Sequence, residues 1–310
     1  MYIRAITLAP LLSLLARGTF ATSYIVNSAD DLIAVSNKVN AGTSFSGTTI
    51  YLNADLDFSG KSMEPIGGIQ YYTFKGSFDG KGHKISNLAI SSSMNYGGLI
   101  GNCYGTNFSN LVLDSSCSIY STGGSKSVGV IGFIQTYNPV LINNIVNMAS
   151  ISQQGPSAQW TITGGIVGMT YIGSYDITIK NCVNYGTVTD LAGSTWWSEI
   201  GGILGDCHFA RSSKCYLQNC ANYGLLRQKD GSVYCVAIGG IVSICQGICQ
   251  IDNCVNMGSA SNTGGYPYKG GIIGYLDGTT SIITNNYWST NSASAVWRLA
   301  EFLQHDHQLF

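Results

Sequence analysis

Hydrolysis of a glycosidic bond needs two carboxyl groups facing each other across it, and elimination needs carboxylates for a cation with a base close by. This chain has few such groups. Glutamate occurs at Glu64, Glu199 and Glu301, and the aspartates are scattered over different segments. Asp55 and Asp57 in "DLD" share one strand face, which reads as a strand edge entering a turn. Asp79 and His83 in "FDGKGH" come nearest to an acid–base pair. Gly80 and Gly82 mark a sharp bend there, so Asp79 reads as a turn residue and His83 as the cap of a stack. His208 stands alone, and "HDH" (305–307) reads as a solvated tail. Asp176 and Lys214 each precede a repeated Asn by five residues, which predicts an ion pair between coils. No catalytic residue, metal set or cofactor is assigned on this basis, and neither G-x-S-x-G nor a phosphate loop is present.

Aromatic residues offer binding chemistry instead. Trp160, Trp197, Cys235 and Tyr266 each stand four residues before a Gly-Gly pair, so Trp160, Trp197 and Tyr266 are candidate ligand contacts along one face. The ten cysteines fall into phase as well. Cys182, Cys220 and Cys254 read as a buried structural row, and Cys207 with Cys245 as the candidate disulfide, because they sit in bends with local freedom. No C-x-x-C supports a zinc ribbon. Asn107 opens the glycosylation sequon "NFS".

These residues are carried by a repeat. "NCVNYG" (181–186), "NCANYG" (219–224) and "NCVNMG" (253–258) alternate with "GGLIG" (97–101), "VGVIG" (128–132), "GGIVG" (164–168), "GGILG" (201–205), "GGIVS" (239–243) and "GGIIG" (270–274). Both series advance in the same phase, as a solenoid requires. The runs between them are short and β-branched, with no helical period. The prediction is an all-β chain, a right-handed parallel β-helix with one coil per repeat. Asn181, Asn219 and Asn253 then form an amide ladder. If that ladder is buried, Asn219→Ala removes about 1–3 kcal/mol.

Composition limits the partners. Charged residues are 10% of 310 and the net charge is −1, so no basic surface can track phosphates and nucleic acid is not an expected partner. The start of the chain, with Arg4, "AITLAPLLSLLA" (5–16) and "TFA" (19–21), reads as a secretory signal over 1–22, cleaved after Ala21 or Ser23. No later run is long enough to span a membrane. An N-terminal cap is expected over 23–47, where Ser28 and Asp31 fit a capping box and Leu32, Val35 and Val39 share a face. Repeats fill 48–290, and 291–310 forms a cap or tail in which "AVWRLAEFLQ" (295–304) has helical spacing.

"EPIG" (64–67), "FKGSFDGKGHKISNLAI" (74–90), the recurring "GGIVG" and "NCVNYG", and a closing "NNYWST" (285–290) resemble the GLUG-repeat proteins. The resemblance covers nearly all of 24–290, with Asn286 where the closing motif usually has Cys. It implies an exported or surface-attached β-helix with adhesive or binding roles and carries over no catalytic residue. Sequence therefore favours a secreted or cell-surface, non-catalytic module binding a glycan or an extracellular or host protein. A carbohydrate-active enzyme, either lyase or glycoside hydrolase, is the alternative.

Overall fold

The structure, a computed structural model, describes residues 22–68, 71–122, 127–154, 160–191, 196–209, 213–229, 233–263, 266–277, 281–289 and 305–309. The signal segment expected over 1–22, but for Thr22, and the helical stretch expected at 295–304 lie outside these residues.

Each short run finds its hydrogen-bond partner one coil away, because glycine and Asn bends end it before it can build a sheet of its own. The strands pair in parallel, as a parallel β-helix requires. One long sheet holds the runs on either side of the repeated Asn, such as Ile177–Lys180 and Val183–Asn184. Among the described residues three further sheets of six strands each complete the coil. They run from Ala89–Ser92 to Ala260–Ser261, from Tyr96–Gly97 to Tyr266–Gly270, and from Ile100–Tyr104 to Ile273–Leu276. Inward Ile, Val, Leu and Cys side chains fill the interior.

The helix Ala29–Asn40 covers the first coil. Ser28 Oγ accepts from the Asp31 N–H at 3.2 Å and donates to Asp31 Oδ2 at 3.0 Å. Leu32, Val35 and Val39 are buried against the core, and Ser36 Oγ donates to the Glu64 carbonyl at 2.7 Å. Stacking starts before the cap rather than after it, since Thr22–Val26 already pairs with Thr48–Leu52. At the far end the backbone of His305–Leu309 pairs with Ile282–Ser289, so "HDH" belongs to a strand rather than to a free tail.

The repeated Asn residues form two rows, not one. Asn110, Asn144, Asn181, Asn219, Asn253 and Asn285 all have φ between 53° and 58°, the left-handed bend that Asn tolerates. Asn181 donates to Asn143, Asn219 to Asn181 and Asn253 to Asn219, at 2.9, 3.2 and 2.7 Å. This row is exposed. The buried row is the second Asn of the motif, where Asn147 donates to Asn184, Asn184 to Asn222 and Asn222 to Asn256, each at 2.9 Å. The amides of Asn184 and Asn222 also abut Gly165 and Gly202, which explains why the two motifs recur together. Trp288 takes the register position above Asn256 and ends the row.

The stability effect therefore moves from Asn219 to Asn222. Asn222→Ala leaves the buried Gly224 N–H without its acceptor, and it takes one bond each from the Asn184 amide and the Asn256 carbonyl oxygen, which keep only Gly186 and Gly258. Its expected cost is about 3 kcal/mol or more. Asn219→Ala loses left-handed tolerance and exposed amide bonds, at about 1 kcal/mol. Denaturant titration of both variants checks this, and equal midpoints would contradict it.

Cys182, Cys220 and Cys254 are buried thiols, and burial pushes the Cys182 thiol up. Cys207 and Cys245 are register partners but do not bond each other. Cys245 is bridged to Cys249 with Cα atoms 6.5 Å apart, and Cys207 stays a thiol. The reason is geometric: in-register neighbours stand parallel at about 4.8 Å, wider than disulfide Cβ spacing. Cys245 and Cys249 instead converge across the corner between two strands of one coil.

Candidate functional site

The Gly-Gly bend joins two sheets at an angle and places their outward residues around one cleft of about 730 Å³. The coil at 197–209 supplies its chemistry. In Trp197–Gly201, Ile200 packs into the core and Ser198 bonds the buried Asp190, which leaves Trp197 and Glu199 facing the cleft. Beyond the bend, Leu204 and Cys207 point inward while Asp206 and His208 face the cleft.

Glu199 and Asp206 lie on its floor, 4% and 2% exposed. Glu199 Oε2 and Asp206 Oδ1 have no protein partner. Burial pushes Asp206 up to about 8. Glu199 is also raised well above its ordinary range, first by burial and then by the Asp206 and Asp190 carboxylates. His208 Nδ1 stands 3.9 Å from Asp206 Oδ2. Among the described residues no lysine or arginine lines the cleft.

Aromatic rings form the walls. Trp197 stacks on Tyr268 at 5.8 Å and meets Tyr275 edge-on at 5.9 Å. It reaches Tyr268 across a coil where Cys235 and Ala237 are small. Trp160 is the register partner of Trp197 and is 57% exposed on the rim. Tyr171 stacks on His208 at 5.6 Å. Of the sequence candidates, the cleft thus brings together Trp160 and Trp197. Tyr266 is placed by its backbone alone, in register with Cys235.

Other candidates have local roles. Asp79 accepts from the Lys81 N–H at 2.8 Å, whereas His83 pairs with Asp55 at 3.1 Å. Asp57 accepts from Ser59 and Asn87. Asp176 accepts from the Lys214 backbone N–H at 2.7 Å, so this contact between coils is a hydrogen bond to the main chain. Asn107 is exposed and its Oδ1 accepts from Leu141 N–H.

Sequence reasoning missed Glu199 and Asp206 because they belong to different strands of one coil. One signal was available. They flank the Gly-Gly bend at positions where the coil below has Ile162 and Met169 and the coil above has Ala237 and Ile244.

No protein-family model and no curated protein matches the sequence. Two solved structures share its architecture. One, from Bacteroides ovatus, is provisionally named an immunoglobulin A1 protease; it is 21% identical with TM-score 0.66, over 92% of this chain and 82% of that one. The other, named IgA1 protease, is 16% identical with TM-score 0.50, over 94% of this chain and 21% of that one. This chain therefore spans about a fifth of the second protein. At these identities what is shared is the fold, a β-solenoid.

Proposed function

We propose that this chain is an exported GLUG-type solenoid that binds a glycan in the aromatic cleft. The observation that carries the reading is the cluster of Trp197, Tyr268 and Tyr275 beside an open cleft of about 730 Å³. Flat rings at the edge of such a cleft present apolar faces to the C–H faces of sugar rings. Export is supported by the charged, apolar and small-residue order of the first 22 residues. Among the described residues no helix is long and apolar enough to cross a membrane. The protease names belong to the neighbours, and a shared fold alone does not transfer them.

Binding is tested by titrating soluble polysaccharides into the purified protein and reading tryptophan fluorescence and heat. Trp160→Ala is expected to weaken binding about tenfold, in the range of an exposed aromatic contact. Its melting temperature should stay within about 1 °C, because the indole is mostly exposed. Unchanged affinity in both Trp160→Ala and Trp197→Ala would move the binding face elsewhere.

A further inference from the structure

The buried carboxyl pair is unexplained by binding alone. Stacking does not require it, since the coils directly below and above fill the same positions with Ile162, Met169, Ala237 and Ile244. Each carboxyl group keeps one oxygen without a protein partner although the residue is more than nine-tenths buried, and both line the cleft. A group left in that state destabilises the fold unless it meets a ligand.

We propose that Glu199 and Asp206 form an acid–base pair that hydrolyses a glycosidic bond of a neutral saccharide held in this cleft. This deepens the binding reading and rests on it. Glu199 donates its proton to the leaving glycosidic oxygen, and Asp206 accepts a proton from the attacking water. The bond from the anomeric carbon to the leaving oxygen breaks as the bond to the water oxygen forms. The overall change is the addition of one water, and proton exchange with solvent resets both groups.

Surroundings set the two roles. Asp206 has the His208 imidazole 3.9 Å away, which fits it for the role of base. Glu199 is buried and has the Asp206 and Asp190 carboxyls nearby, which favour its protonated form and fit it for the role of acid. Asp277 adds a further carboxylate to the cleft wall, and among the described residues His208 is the one basic side chain there. With no lysine or arginine among the described residues that line the cleft, a uronate polymer would meet the carboxylates there without compensation. The substrate class is therefore neutral, and elimination from a uronate is disfavoured.

The experiment incubates the full-length protein with soluble β-glucan, xylan, galactomannan and polygalacturonate, and measures binding, reducing ends and unsaturated products separately. Reducing ends are expected from at least one neutral polymer that binds. Glu199→Gln and Asp206→Asn should each lower their release by at least about 100-fold while retaining affinity within about threefold. The pH–rate profile should lose its basic limb in Glu199→Gln and its acidic limb in Asp206→Asn. Binding without release of reducing ends would overturn this proposal and leave the binding reading standing. Full turnover in both variants, or unsaturated products from polygalacturonate, would also overturn it. Absence of binding to all four polymers would overturn both.

Discussion

Gly239→Ala is expected to destabilise the protein by more than about 4 kcal/mol, at the extreme of single substitutions. A Cβ at this position would lie 1.6 Å from the Val242 carbonyl oxygen, 2.4 Å from its carbon and 2.7 Å from Gly274 N. All three are backbone atoms, so no side chain can rotate out of the way. The bend is also tied to the next coil: Gly240 N–H donates to Gly270 and Val242 N–H to Ile272, at 3.1 and 3.0 Å. Moving either peptide breaks that ladder. The effect should be local at first, because each coil rests mainly on its neighbours. Hydrogen exchange should therefore show protection lost around 235–276 before the helix-capped end. Gly60→Ala is the control. Gly60 has φ +72° but nothing within 4 Å of the added carbon, so only left-handed strain of about 1–2 kcal/mol applies. Equal melting temperatures for the two variants would show that the bend relaxes and that its glycines are not needed for close approach.

The same bend shows how far the sequence could be read. Period and phase predicted parallel stacking, because any residue repeated once per coil must lie over its own copy. Fine register was harder to read. Ser127 pairs with Ile162, 35 residues on, but Ile131 pairs with Val167, 36 residues on. The bend thus gains one residue between the second and third coils. "VGVIG" therefore only imitates "GGIVG": Val128 stands in register with Thr163 rather than with a glycine of the later pairs. Within "NCVNYG" both Asn residues recur equally, so repetition alone could not tell the exposed row from the buried one. The distinguishing fact is three-dimensional: the second Asn faces a glycine of the Gly-Gly pair, and no larger residue leaves room for its amide. The carboxyl pair was harder still. It breaks the repeat instead of following it, and a search for what recurs passes over a single coil with Glu and Asp in place of Ile and Met.

That departure from the repeat leads to the second large effect, in Asp206→Asn. The folded chain holds the Asp206 carboxyl at about 8 through burial, against an ordinary value of 3.8. Below about pH 4 the group is protonated whether folded or unfolded, and it contributes no pH dependence. As pH rises from about 4 to 8 the unfolded chain releases the proton while the folded chain keeps it, so stability falls with pH. Above about 8 the loss is complete. The gap between the two values sets a ceiling of about 6 kcal/mol on this loss. Asparagine has nearly the shape of the protonated acid and does not ionise. Asp206→Asn should therefore leave the melting temperature at pH 4 almost unchanged and raise it by several degrees at pH 8. Calorimetric scans of both proteins at the two pH values check the sign. A lower melting temperature for Asp206→Asn at pH 8 would mean that an ionised Asp206 supports the fold. A gain in stability together with a loss of glycan turnover would separate the two roles. The carboxyl would then weaken the solenoid where Met169 and Ile244 in the neighbouring coils do not, and its contribution would lie in the proton it exchanges within the cleft.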